Sequence, residues 1–179
     1  FELILIDDHS SWENVVPILK EYECNERVHI IYRTTNGHIS AATNDGIALA
    51  QGDFIAFMDC DDTIEPNALY EMAKKLNENP KYDFIYSDED KITEDGKIRH
   101  LPFFKPDWSP DLYMCMNYTN HLSVYRTAIV KEIGGLRSAY NGSQDYDFTL
   151  RFMEKSTNQN VGHVPKILYH WRERKESAA

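Results

Sequence analysis

"FIAFMDCDDTIEP", residues 54–66, runs from an apolar stretch into three carboxylates, Asp59, Asp61 and Asp62, and then to a proline. Its apolar start predicts a buried strand, and Pro66 followed by "NALYEMAKKLNENP" predicts a helix ending at Pro80. Three like charges within four residues repel one another unless a cation or a helix N-terminus compensates them. One answer is that Asp61, Asp62 and Thr63 cap the helix, although a cap needs one such residue. Another is a metal ion: oxygen ligands at positions i and i+2 suit Mg²⁺ or Mn²⁺, which also bridge substrate phosphates.

Upstream of this stretch, "FELILI" (1–6) predicts a strand running into Asp7 and Asp8, and "VHIIYR" (28–33) a second one. Between them "WENVVPILKEYE" predicts a helix kinked at Pro17. "NGHISAATNDGIALAQG" puts Ile39, Ala42, Ile47 and Ala50 on one helical stripe, with Gly52 as its stop. Downstream, "YDFIYSD" (82–88) predicts a further strand that runs into Asp88, Glu89 and Asp90.

Four strands alternating with three helices indicate an α/β domain with a mainly parallel sheet, whose ligands belong at the carboxyl ends of the strands. Each acidic cluster would then follow a strand and share one rim. In the second half "KITEDGKIR" (91–99) reads as a hairpin, "HLSVYR" as a strand, "GSQDYDFTLRFMEK" as a helix from about Gln144, and "NVGHVPKILYHWR" as a final extended segment. The aromatics of "FFKPDWSPDLYMCMNY" read mostly as core, and the tail "ERKESAA" has little pattern.

With 179 residues, 42% of them apolar, the chain can form one ordinary globular domain. Nineteen Lys and Arg against 29 Asp and Glu give a formal charge of -10, which argues against nucleic acid and anionic membranes as partners. An anionic small ligand would need a local cation or backbone amides. Cys24, Cys60 and Cys115 show no metal-like spacing and fit reduced thiols in the cytoplasm. No membrane span is expected in this chain; contact with the inner face of a membrane would come from parts outside it. Opening directly on a strand suggests a piece of a longer protein.

The string Asp59-Cys60-Asp61-Asp62-Thr63 resembles the first motif of haloacid-dehalogenase-class phosphatases. That resemblance would make Asp59 a covalent nucleophile and Asp61 a general acid/base, with Lys91 as the nearby lysine. In that class, however, the motif usually sits on the first strand, and here two strands precede it.

The chain as a whole resembles the family 2 inverting glycosyltransferases of the GT-A fold, and in particular bacterial enzymes of polysaccharide and glycan assembly. The pieces occur in the family's order: "LILIDDHS", "NGHISAATNDGIALAQGDFIAFMDCDD", "YSDED", "GSQDYDFTLR" and "YHWR". The resemblance implies a single domain with a nucleotide-binding half (1–90) and an acceptor-binding half (91–179). It also implies that the family's first strand, normally interior to the sheet, lies before Phe1.

Site roles follow from the same resemblance. Asp7 and Asp8 would face the nucleotide base, and His38 and Asn44 the nucleotide and diphosphate. Asp59 and Asp61, with Asp62 and His170, would hold Mn²⁺ or Mg²⁺. Asp88, Glu89, Trp171 and Arg172 would meet the donor sugar or acceptor. Asp145 would be the catalytic base, a role compatible with capping its helix. The implied donor is a nucleoside-diphosphate sugar with UDP as the expected nucleotide, and the acceptor a hydroxyl of a glycan or lipid-linked sugar. A non-catalytic sugar-binding domain is the third alternative.

Overall fold

The computed structural model describes residues 1–174, so the end of the patternless tail, 175–179, lies outside the described residues. In chain order the elements are β1 (Leu3–Asp7), α1 (Val15–Lys20), β2 (Val28–Tyr32), α2 (His38–Leu49), β3 (Phe54–Ala56), β4 (Thr63–Ile64) and α3 (Ala68–Glu78). They continue with β5 (Phe84–Ile92), β6 (Arg99–Phe103), α4 (Pro110–Tyr113), β7 (Ser123–Arg126), α5 (Thr127–Glu132), α6 (Gln144–Met153) and β8 (Val161–Arg172). The chain forms two compact units, residues 1–55 with 127–155 and residues 56–126 with 156–179, and a boundary at residue 90 would fall inside β5.

In the first unit β1 and β2 pair in parallel, from Leu3 opposite Val28 to Asp7 opposite Tyr32. The α2 helix packs on β1 at Gly46, where a Cβ would stand 2.8 Å from Ile6 Cδ1, so a larger residue would require that methyl group to shift. Its buried residues are Ser40, Gly46 and Ile47, followed by Ala50, whereas Ile39 of the expected stripe is 46% exposed. The helix stops because Ala50 turns extended (φ -55, ψ 128), two residues before Gly52. Pro17 is the third residue of the six-residue α1, a first-turn position whose N–H has no intrahelical partner to lose, so it produces no kink. The α5 and α6 helices are tied in through Thr127 Oγ1 on the Gly52 carbonyl (2.6 Å) and Arg151 on the carbonyls of Ile133 (3.0 Å) and Gly135 (2.7 Å).

The second unit is built on β5, buried nearly throughout and flanked by β7 and β6 in antiparallel pairing and by β8 in parallel pairing. On its far edge β8 carries the two-residue antiparallel β4. The sheet is therefore mixed within an α/β fold. The Asp95-Gly96 turn joins β5 to β6 directly, which forces antiparallel pairing, and Gly96 takes the left-handed φ of 70 that the turn needs. Phe84 stacks on Tyr125 (4.6 Å between centroids), and Trp108, Tyr113 and Tyr118 close the same core, as expected for most aromatics of that segment. Among the described residues no helix is long and apolar enough to cross a membrane.

Candidate functional site

The loop from Asp59 to Asp62 lies between β3 and β4 and does not cap α3. That helix begins at Ala68 with Asn67 before it, because Thr63 and Ile64 are drawn into pairing with His170 and Tyr169 of β8. Strand β8 also fixes the loop itself. Asp62, 6% exposed, accepts the Tyr169 hydroxyl at 2.5 Å on one oxygen and the Arg172 N–H at 2.7 Å on the other. Burial pushes its carboxyl above the usual range despite these donors. The Arg172 Nε holds the Asp61 carbonyl at 2.6 Å, and the Tyr169 oxygen accepts the Asp59 N–H at 3.3 Å.

The two other aspartates of the loop are more accessible. The Asp59 side chain is 49% exposed, with its Oδ2 3.8 Å from His121 Nε2, and Asp61 Oδ2 lies 2.8 Å from Arg174 Nε. A guanidinium thus already neutralises part of the loop's charge.

Asp88, Glu89 and Asp90 lie inside β5, since the strand runs on to Ile92. Asp88 is buried, with its Oδ1 taken by His163 Nε2 (2.8 Å) and the Lys105 N–H (2.9 Å). Glu89 accepts from the fully buried Lys105 Nζ (2.9 Å) and from the His121 N–H (2.7 Å). Lys105 Nζ also serves the carbonyls of Asn120 (3.2 Å) and His121 (2.5 Å). The imidazole of His121 stacks on Tyr169 at 4.7 Å, which lays it against the Asp59–Asp62 loop. Neither Lys105 nor His121 has a signal in the sequence; only their partners' acidic cluster did.

His170 is buried, with Nδ1 2.6 Å from Asp90 and Nε2 3.4 Å from Glu65. Trp171 packs under Lys91, whose ammonium lies 4.5 Å from the ring centroid and 3.8 Å from Glu173. Arg172 brackets the loop backbone and the Glu94 carbonyl (3.0 Å).

Among the described residues no three His, Cys, Asp or Glu side chains are gathered as cation ligands. The expected set of Asp59, Asp61, Asp62 and His170 is therefore not a preassembled cage, because both Asp62 oxygens serve β8. Asp59 and Asp61 carry oxygen donors of the kind Mn²⁺ or Mg²⁺ takes, but Asp61 is paired with Arg174 and the His170 nitrogens face Asp90 and Glu65.

In the first unit Asp7 is 6% exposed and accepts the Ser10 N–H at 3.0 Å. Asp8 accepts the Gly37 N–H (2.9 Å) and Arg33 (2.5 Å). Burial would raise its carboxyl, but those two donors together hold it below the usual range. His38 is exposed at a left-handed φ of 65 where α2 begins. The Asn44 amide holds the Leu136 backbone: Nδ2 donates to the Leu136 carbonyl and Oδ1 accepts the Leu136 N–H, both at 2.8 Å. Asp145 is the second residue of α6, with Oδ1 accepting the Tyr146 N–H at 2.9 Å, while Ser143 holds the cap position.

Residues 1–134 match the family described as glycosyl transferase family 2. The chain belongs to that family, and its architecture is the GT-A α/β fold. It is 41% identical over its whole length to an uncharacterized protein, y4gI, of Sinorhizobium fredii, and 37% identical to the O-antigen biosynthesis protein RfbC of Myxococcus xanthus. It spans only 20% and 14% of those two relatives. Staphylococcus aureus TarS in complex with UDP-GlcNAc superposes with a TM-score of 0.77 at 21% identity, over 99% of this chain and 51% of that one.

Proposed function

We propose that the chain is the catalytic domain of an inverting glycosyltransferase that moves a hexosyl group from a UDP-sugar to a hydroxyl of a glycan or lipid-linked acceptor. The observation that carries this reading is the Asp59–Asp62 loop, with two accessible carboxylates on a backbone held from β8 by Tyr169 and Arg172. Family membership and the UDP-GlcNAc named for the TarS complex support the donor class. O-antigen and chondroitin assembly, named for relatives, support a polysaccharide product.

Asp145 takes the acceptor proton as the oxygen attacks the anomeric carbon opposite the diphosphate, which inverts configuration. Asp59, Asp61 and His170 would hold a divalent ion, which would supply Lewis-acid stabilisation of the departing diphosphate. Asp7, Asp8 and His38 meet the nucleotide. In this reading the reaction runs in the cytoplasm.

The phosphatase alternative is not favoured, because Lys91 is committed to Trp171 and Glu173. The test is calorimetric titration with UDP, GDP and dTDP, each with and without Mn²⁺, on the wild type and on Asp61→Ala. Mn²⁺-dependent UDP binding lost in the variant is expected. Metal-independent binding, or an aspartyl-phosphate formed at Asp59, overturns the reading. Asp145→Asn should abolish turnover and keep UDP affinity; a variant that keeps full turnover removes Asp145 as base.

A further inference from the structure

Arg33, the residue after β2, ties together three other parts of the first unit. Its N–H donates to the Asp7 carbonyl at 2.9 Å, which fixes its backbone beside the end of β1. Its Nη1 donates to Asp8 Oδ1 at 2.5 Å, and its Nε lies 2.8 Å from Asp45 Oδ2 on α2. The guanidinium also lies against Gly37, where a Cβ would collide with it. Gly37 has a negative φ of -117, so what glycine supplies here is room for Arg33 and not a special backbone conformation.

Asp8 is held from two sides. Its Oδ1 accepts both Arg33 and the Gly37 N–H (2.9 Å), while Oδ2 shares that N–H at 3.2 Å. A carboxylate oxygen has lone pairs for more than one donor, so Oδ2 keeps acceptor capacity. We propose that Arg33 is a positioning residue for the nucleotide: anchored by Asp45, its guanidinium holds Asp8 in one orientation, with Oδ1 occupied and Oδ2 left to accept an N–H or O–H of the nucleoside. This inference rests on the reading of Asp8 as a nucleotide contact and uses no metal ion. The charged groups around Asp8 are Arg33 and, through it, Asp45, with Asp7 and His9 as its chain neighbours. Burial works against the ionised carboxyl and the Gly37 N–H and Arg33 work for it, so loss of the guanidinium should let Asp8 titrate higher.

The test separates the two ends of the nucleotide. Affinities for UDP and for pyrophosphate, each with Mn²⁺, and for uridine without metal are measured on the wild type, Arg33→Met and Gly37→Ala. The Asp8 carboxyl is titrated in parallel by ¹³C NMR. Both variants should bind UDP and uridine about 3–10-fold more weakly, the ordering cost of one freed side chain, and pyrophosphate unchanged. In Arg33→Met the Asp8 carboxyl should titrate higher than in the wild type. Uridine binding, which uses the ionised form, should then be lost at a higher pH on acidification.

Wild-type UDP affinity in either variant overturns the proposal. Equal losses for UDP and pyrophosphate also overturn it, because an arginine that only braces the fold would give that result. Gly37→Ala keeps every charge and decides the matter even if Arg33→Met does not fold. A wild type that binds neither UDP nor uridine overturns the nucleotide reading, while the Asp8 titration still judges Arg33: a carboxyl that titrates equally low in the wild type and in the variants means that the guanidinium does not hold it.

Discussion

Replacing Lys105 by methionine should cost this protein much of its stability, although no surface group changes. The side chain is 0% exposed, and its ammonium serves Glu89 and the carbonyls of Asn120 and His121. Methionine fills a similar volume, so the packing of the stem survives and the perturbation is electrostatic. Burial depresses the Lys105 amine and raises the Glu89 carboxyl, so each ion is tolerated largely because of the other. Removing one partner of a buried pair costs about 3–5 kcal/mol. For a chain of this size, at about 2–4 °C per kcal/mol, that is a fall in Tm of about 6–20 °C. The assay is thermal and urea unfolding of Lys105→Met, Glu89→Gln and the double variant. The double should be more stable than the sum of the singles predicts, by about 0.5–3 kcal/mol, because Glu89 no longer has a charge to strand. A Lys105→Met loss below about 1 kcal/mol, the scale of an exposed ion pair, or strict additivity would refute the reasoning.

Gly135 stands at φ 67, and a Cβ there would lie 2.3 Å from Asn44 Oδ1, so Gly135→Ala should lower the urea midpoint by the equivalent of about 1–3 kcal/mol. Tyr169→Phe strands one buried oxygen of Asp62 and frees the Asp59 N–H, for a loss of about 1–3 kcal/mol in unfolding experiments. Calorimetry on the same variant should show weaker UDP–Mn²⁺ binding. Asp83 is held by Asn160, Arg126 and Ser156, which outweigh burial and keep its carboxyl below the usual 3.8. Its contribution is present above that value and disappears as pH falls through the lower folded one. The stability gap between wild type and Asp83→Asn should therefore be constant well above the usual 3.8 and shrink as pH falls below it.

The fold was legible where one local rule governed an element. Apolar runs marked β1, β2 and the start of β5, and Asp95-Gly96 marked the hairpin to β6. Pairing directions were less legible, because β8 adds to β5 from a distant part of the chain and no local pattern encodes that. The same distance hid the roles of the acidic residues. Composition shows Asp62, Asp88 and Asp90 as charges at strand ends, but their partners, Tyr169, His163 and His170, come from one later strand. The contacts of Asn44 were hidden for a related reason: the family resemblance put it near the nucleotide, and only the fold brings the Leu136 backbone to both ends of its amide.

The grip of β8 on the Asp59–Asp62 loop also has a temporal side. Asp62 and the Arg172 amide it holds are 110 residues apart in the chain. A ribosome therefore delivers the acidic loop well before the segment that organises it, and the entropy of closing so long a loop is repaid only once that segment has arrived. A nascent chain halted before Leu168 would display three clustered carboxylates without Tyr169, His170 or Arg172 to order them. Under the proposed function, the order that donor binding needs is complete only after Arg172 has emerged, and translation products that stop short of it should be unable to sequester the donor.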